Sequence, residues 1–228
     1  MDRGLYQKGI IIIALLSALL PLCGSSVWAQ DISWKDSLDV LRKRIDVEPY
    51  SSDLHLKKAA VNLQLKQWDY AISEYNLVLE KDPHHLAAFF YRAYAQKNLR
   101  RYDLARQDYE EVLKRVPGHY EARLCLAQIC QLTGKMTEAV DHLNRLVELA
   151  PDSAEAYVAR AGVEQELKQT DAALYDWDQA IRLCPDNLDY QLSKLRLLQR
   201  TKRKREAGKM MRELERKGIN RRVFEQER

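Results

Sequence analysis

Residues 86–117 show the pattern on which the chain is built. "LAAFFYRAYAQKNL" carries helix formers without Pro or Gly, "RRYD" interrupts its apolar face, and "LARQDYEEVLKRV" resumes a helical pattern. In the second run Ala105, Tyr109 and Val112 fall at i, i+4 and i+7, one stripe of a helix. Pro117 then stops it, because Pro has no amide to donate and disfavours helix in the residue before it. A new apolar run opens within a couple of residues, which predicts tight antiparallel helix hairpins. The same closure returns in "LEKDPHHLAAF", "VELAPDSAEAY" and "IRLCPDNLDYQ".

The returns are periodic. Pro49, Pro83, Pro117, Pro151 and Pro185 each lie 34 residues after the last, and only Pro21 stands outside the series. Ala71, Ala105, Ala139, Ala173 and Ala207 keep the same period. So do Ala59, Ala93, Ala127 and Ala161, a row that Leu195 breaks. Alanines remove bulk where two helix backbones meet. A row of large residues, Tyr75, Tyr109, Leu143, Trp177 and Met211, fills the space towards the next unit. A fixed period of this size marks a repeat array. Taken together, the period, the small-residue pair, the aromatic and the terminal proline resemble the tetratricopeptide repeat family, with "DWDQAIRLCPDN" and "YRAYA" especially typical. The resemblance covers residues 52–219 and implies an all-α fold, a right-handed superhelix of antiparallel helix hairpins. Five units are expected: 52–85, 86–119, 120–153, 154–187 and 188–219. Residues 30–51 are expected to form an N-terminal half-repeat, with Trp34, Leu38, Leu41 and Ile45 on one stripe from 33 to 48. The final helix has one apolar stripe (Ala207, Met210, Met211, Leu214) and charged faces elsewhere, as an end cap requires. Gly218 is placed to end it. The basic tail that follows, 220–228, is expected to fray.

Residues 1–29 are of another kind. Arg3 and Lys8 precede an apolar run of 13 residues, "IIIIALLSALLPL", and "VWAQ" places Val27 and Ala29 for a cut before Gln30. This is the layout of a cleaved secretory signal. An uncleaved membrane anchor is the alternative, and a lipoprotein signal at Cys23 is disfavoured by bulky Leu22. All three export the rest of the chain, to the periplasm or outside the cell. The formal charge of +4 is uneven. From Arg196 onward thirteen Lys/Arg face five Asp/Glu, a net of +8, and the first 29 residues carry +1, which leaves −5 for the body between. The exported cysteines Cys125, Cys130 and Cys184 are odd in number and form no CxxC, so no disulfide framework is expected.

The search for chemistry gives no catalytic constellation: no Gly-rich phosphate loop, no GxSxG and no HExxH. The expectation is a non-enzyme without cofactor or metal. His85 and His119 recur one repeat apart in the turns, where a turn or capping role is expected of them. Three units carry a base before the first small residue and an acid 16 residues on: Lys58 with Glu74, Arg92 with Asp108, Arg160 with Asp176. These are predicted to pair within each hairpin as partly exposed contacts. Lys202, Arg203, Lys204, Arg205, Arg212 and Arg216 form a basic end, either a solvated cap or a dock for an anionic surface such as phospholipid. Nucleic acid is not expected, since no aromatic residues interleave with these bases.

The resemblance also implies a partner groove, lined by the first helix of each unit. One row there is apolar throughout: Leu56, Phe90, Leu124, Val158 and Leu192. Beside it run Ala60, Tyr94, Gln128, Gly162 and Arg196, and a third row holds Leu63, Lys97, Gln131, Gln165 and Gln199. Phe90, Tyr91 and Tyr94 are the expected aromatic anchors, with Lys97 one turn on. The family's carboxylate clamp is not expected, because Leu56, Ala60, Tyr91, Glu121 and Cys125 occupy its positions. The expected function is a scaffold that binds a protein or peptide segment in this groove, held by the apolar row. The alternative is a structural adaptor of an envelope complex, docking through its basic end.

Overall fold

The computed structural model describes residues 27–225, and every element in that range is a helix. The expected signal segment up to residue 26 and the last three residues lie outside it. Two compact units divide at Arg115 and Val116.

The first unit holds α1 (Val27–Val47), α2 (Ser52–Gln64), α3 (Trp68–Lys81), α4 (Leu86–Asn98) and α5 (Tyr102–Arg115). Each packs on the next along the chain. The backbone of α1 is helical from Val27, six residues before the apolar stripe predicts, so it runs through the expected cut at Ala29 and Gln30. The stripe itself packs as expected: Leu38 and Leu41 are buried with Leu54 and Val61 of α2, and Trp34 and Ile45 flank them. Ala59, Ala71, Ala93 and Ala105 have no exposed surface, and Tyr75 and Tyr109 are buried beside them. The second unit repeats the scheme with α6 (Tyr120–Leu132), α7 (Met136–Leu149), α8 (Ala154–Glu166), α9 (Thr170–Leu183), α10 (Leu188–Arg200), α11 (Lys204–Arg216) and the single turn α12 (Arg222–Glu225). Ala127, Ala139, Ala161 and Ala173 are buried there with Leu143 and Trp177.

Turn chemistry fixes the hairpins. At the end of α2, Lys66 donates to the Leu63 carbonyl at 3.0 Å and Gln67 to the Asn62 carbonyl at 2.8 Å. This is the Schellman closure, which needs a left-handed residue. Gly134 supplies it after α6 (φ 76°), but Lys66, Arg100, Lys168 and Lys202 adopt φ of 56–60° in the equivalent turns. Helix starts follow a second device. His85 Nδ1 accepts from the Ala88 amide at 3.1 Å and His119 Nδ1 from the Ala122 amide at 3.3 Å, so both histidines are N-caps.

The three predicted ion pairs close. Lys58 reaches Glu74 at 2.6 Å, and Arg92 and Arg160 clamp Asp108 and Asp176 in bidentate geometry at 2.7–2.8 Å. Their placement corrects the expectation. The carboxylates are not partly exposed: Asp176 keeps 1% of its side-chain surface, Asp108 7% and Glu74 9%. Each arginine also reaches back to the preceding hairpin, Arg92 to Asn76 at 2.7 Å and Arg160 to Asn144 at 3.0 Å. One side chain thus ties two second helices together.

Candidate functional site

The inner faces are built from the first helix of each hairpin. In the first unit Leu56 packs on a cluster of Ala59, Tyr75 and Ala88. Phe90 meets buried Tyr109 edge-on at 5.5 Å and Tyr91 at 5.2 Å, and Tyr91 stacks on Tyr75 at 6.3 Å. Burial pushes the Tyr75 hydroxyl far above the usual phenol range, so it stays neutral. Phe90 and Tyr91 are therefore wedged between helices and offer a partner only part of their surface. Tyr94 differs. It stands 38% exposed, with Trp68 edge-on at 6.0 Å and the Lys97 ammonium 5.7 Å above its ring. Cation and aromatic edge hold the ring upright without covering it.

In the second unit Leu124, Val158 and Leu192 are likewise packed, Leu192 being buried. The expected apolar row is thus largely helix-to-helix packing, because within each unit the second helices pack against it. What faces solvent is the chemically mixed row beside it: Tyr94, Gln128 and Arg196 are exposed, while Ala60 and Gly162 are half-buried. In the third row Leu63, Gln131 and Gln165 are half-buried and Gln199 is exposed. Gln131 donates to Glu166, and Gln165 donates to the Ala161 carbonyl at 3.2 Å.

At the basic end Lys202, Lys204, Arg205, Arg212 and Arg216 are exposed and take no carboxylate partner among the described residues. Arg203 is spent instead on Asp171 and Glu206, whose hydrogen bonds push its guanidinium further up. No cluster of three metal-ligating side chains occurs among the described residues, and no described helix is long and apolar enough to cross a membrane.

Sequence reasoning missed a buried acidic site in the hairpin of α8 and α9. Glu164 lies 3.9 Å from Arg160, beside Asp176, with its Oε2 buried and unpartnered. Burial first, then the Asp176 charge, push its carboxyl up to about 7. Equivalent positions hold Asn62, Gln96, Cys130 and Leu198, all neutral, and that contrast was the available signal. His55 was missed too. It is buried, with Nδ1 2.6 Å from Glu74 and Nε2 3.0 Å from the Pro49 carbonyl.

Residues 90–154 and 133–187 match the tetratricopeptide repeat family model. Residues 90–187 are tetratricopeptide repeats, and the described residues share that fold. Solved structures agree on the fold. MamA from Desulfovibrio magneticus RS-1 is 19% identical with a TM-score of 0.65, over 74% of this chain and 97% of that one. PilF of Pseudomonas aeruginosa is 18% identical with a TM-score of 0.65, over 87% of this chain and 90% of that one. YrrB, described as a TPR protein with an unusual peptide-binding site, is 17% identical with a TM-score of 0.61, over 76% and 90%. No curated protein matches the chain in sequence. A tetratricopeptide repeat protein is in general an interaction scaffold, so its partners are proteins or peptides.

Proposed function

We propose that this tetratricopeptide repeat protein is an exported scaffold that grips a segment of another protein on the inner faces of its first helices, with Tyr94 as the main anchor. The observation that carries this reading is the posture of Tyr94, an aromatic ring held by Trp68 and Lys97 with 38% of its surface open. Aromatic anchors of this kind dominate interface energies. YrrB, described as having an unusual peptide-binding site, offers an analogy of fold only. Export rests on the N-terminal sequence pattern.

A photo-crosslinking amino acid at position 94, against one at exposed Tyr175, tests the site in the living cell. A discrete adduct from position 94 alone is expected, and Tyr94→Ala should weaken capture of that protein by ~2 kcal/mol. Equal adducts from both positions, or none from 94, would remove the anchor. Mass determination of the mature N-terminus tests export: Gln30 is expected, and an intact Met1 in the cytoplasm overturns it.

Five exposed bases at the end of the array, without a carboxylate partner among the described residues, favour a second reading, docking to an anionic surface. Sedimentation with phosphatidylglycerol vesicles should then fall steeply between low and moderate salt. Salt-independent binding, or none, counts against it.

A further inference from the structure

The chain covers one of its own candidate binding faces. Gly218, at φ 85°, ends α11, and the single turn α12 follows. Phe224 on that turn is 6% exposed, whereas its neighbour Val223 is 42% exposed. Phe224 joins the apolar cluster of Leu192, Leu195 and Leu198, and with Val223 it closes a cleft walled by Leu192, Leu195, Arg196 and Gln199. The expectation that this segment frays is corrected at Phe224. Leu192, Arg196 and Gln199 are the α10 residues that the sequence assigns to the partner groove.

A four-residue helix has no stability of its own, because nucleating the first turn costs more than one hydrogen bond returns. An aromatic side chain removes ~150–250 Å² from water, enough to hold such a turn in place. The contact is therefore side-chain anchoring, and a foreign segment of the same chemistry makes it equally well.

We propose that the inner face of α10 is a docking site for a short helical segment anchored by one aromatic side chain, and that α12 fills it as an internal competitor. The proposal rests on the reading of the inner faces as the partner surface, and adds the ligand class and its regulation. Apolar Leu192 and Leu195 take the ring. Arg196 and Gln199 at the edge favour a segment whose neighbouring groups accept hydrogen bonds. Because α12 is tethered, its effective concentration is on the order of millimolar, which masks the face from any free segment of moderate affinity.

The test uses the full chain and a fluorescent peptide of residues 219–228, followed by anisotropy. Phe224→Ala is expected to bind the peptide saturably and at least about tenfold more tightly than the wild type, whose own anchor competes. A peptide with Ala in place of the Phe should not bind. Arg196→Glu, placed on the Phe224→Ala chain at an exposed position, should weaken binding. Circular dichroism checks that each variant is folded. Should Phe224→Ala unfold, Phe224→Leu keeps an apolar anchor and is expected to show intermediate peptide binding. A folded Phe224 variant that binds no better than wild type overturns the proposal, as does equal binding of the Ala peptide. Crosslinking at Tyr94, on α4 of the other unit, is read separately, so either result can fail while the other stands.

Discussion

Replacing Arg160 by Met tests whether the interior of the α8–α9 hairpin is electrostatic. The guanidinium gives Asp176 two hydrogen bonds, at 2.7 Å each, and Asp176 keeps 1% of its side-chain surface. Met fills much of the volume but leaves a buried carboxylate without a partner. Breaking a buried pair in this way costs about 3–5 kcal/mol, against about 0–1 kcal/mol for an exposed pair. Lys57 with Asp53, exposed at 43% and 64%, is the internal control. Arg160→Met with Asp176→Leu removes both charges, and such double replacement is often neutral or stabilising. The double variant should therefore recover most of the loss. With Trp28, Trp34 and Trp68 replaced by Phe in every variant, the remaining Trp177, which adjoins Asp176 in sequence and is buried, reports this hairpin by its fluorescence during urea unfolding rather than the average over the array. The local probe matters because repeat arrays need not unfold as one unit. A loss for Arg160→Met no larger than that for Lys57→Ala, or a double variant as unstable as the two single ones combined, would refute the reasoning.

Three further outcomes follow from the same geometry. Glu164 is raised in the folded chain to about 7, so the folded state holds a proton that the unfolded state releases at lower pH. Its contribution is full below the ordinary carboxyl range and is lost as pH rises towards 7, by at most ~1.4 kcal/mol per pH unit. Glu164→Gln should flatten that slope in urea titrations from pH 5 to 8, and an unchanged slope refutes the assignment. Gln191 donates to the Pro185 carbonyl at 2.6 Å and is 6% exposed, so Gln191→Ala should cost ~1 kcal/mol by thermal unfolding. Gly134→Ala meets open space, and its cost of ~1 kcal/mol arises from the backbone at φ 76° alone; no shift in midpoint would show that the turn relaxes.

The hairpins were legible because their causes are local and repeat every 34 residues. The proline stops, the alanine contacts and the base–acid spacing of 16 each express one geometric requirement with one residue type. The Pro-carbonyl contacts were not legible, for the opposite reason. His55, Arg123, Tyr157 and Gln191 occupy equivalent positions, and each donates to the carbonyl of the proline six residues before it, at 2.6–3.3 Å. Four unlike side chains share one role, and no residue type announces it. Phe89, in the same place, has nothing to donate and lies instead beneath the guanidinium groups of Arg92 and Arg115. The burial of Glu74, Asp108 and Asp176 was also beyond the spacing, since it depends on the tertiary packing around each carboxylate.

In a repeat array equivalent positions meet nearly equal packing demands, so variation along a row has meaning. The uniform row, Leu56, Phe90, Leu124, Val158 and Leu192, is half-buried or buried throughout, as helix packing requires. Uniformity there marks structure, although in the sequence alone it suggests a binding strip. The varied row, Ala60, Tyr94, Gln128, Gly162 and Arg196, is where packing stops dictating the residue, and its three largest members face solvent. The same logic singles out Glu164, an acid in a place that is neutral in every other unit. Selection for a partner or a response can act only on positions that packing leaves open or tolerates at a cost. Tyr94 is of the first kind and Glu164 of the second, which is why the proposed anchor and the buried carboxyl with its raised pKa both fall outside the pattern that builds the fold.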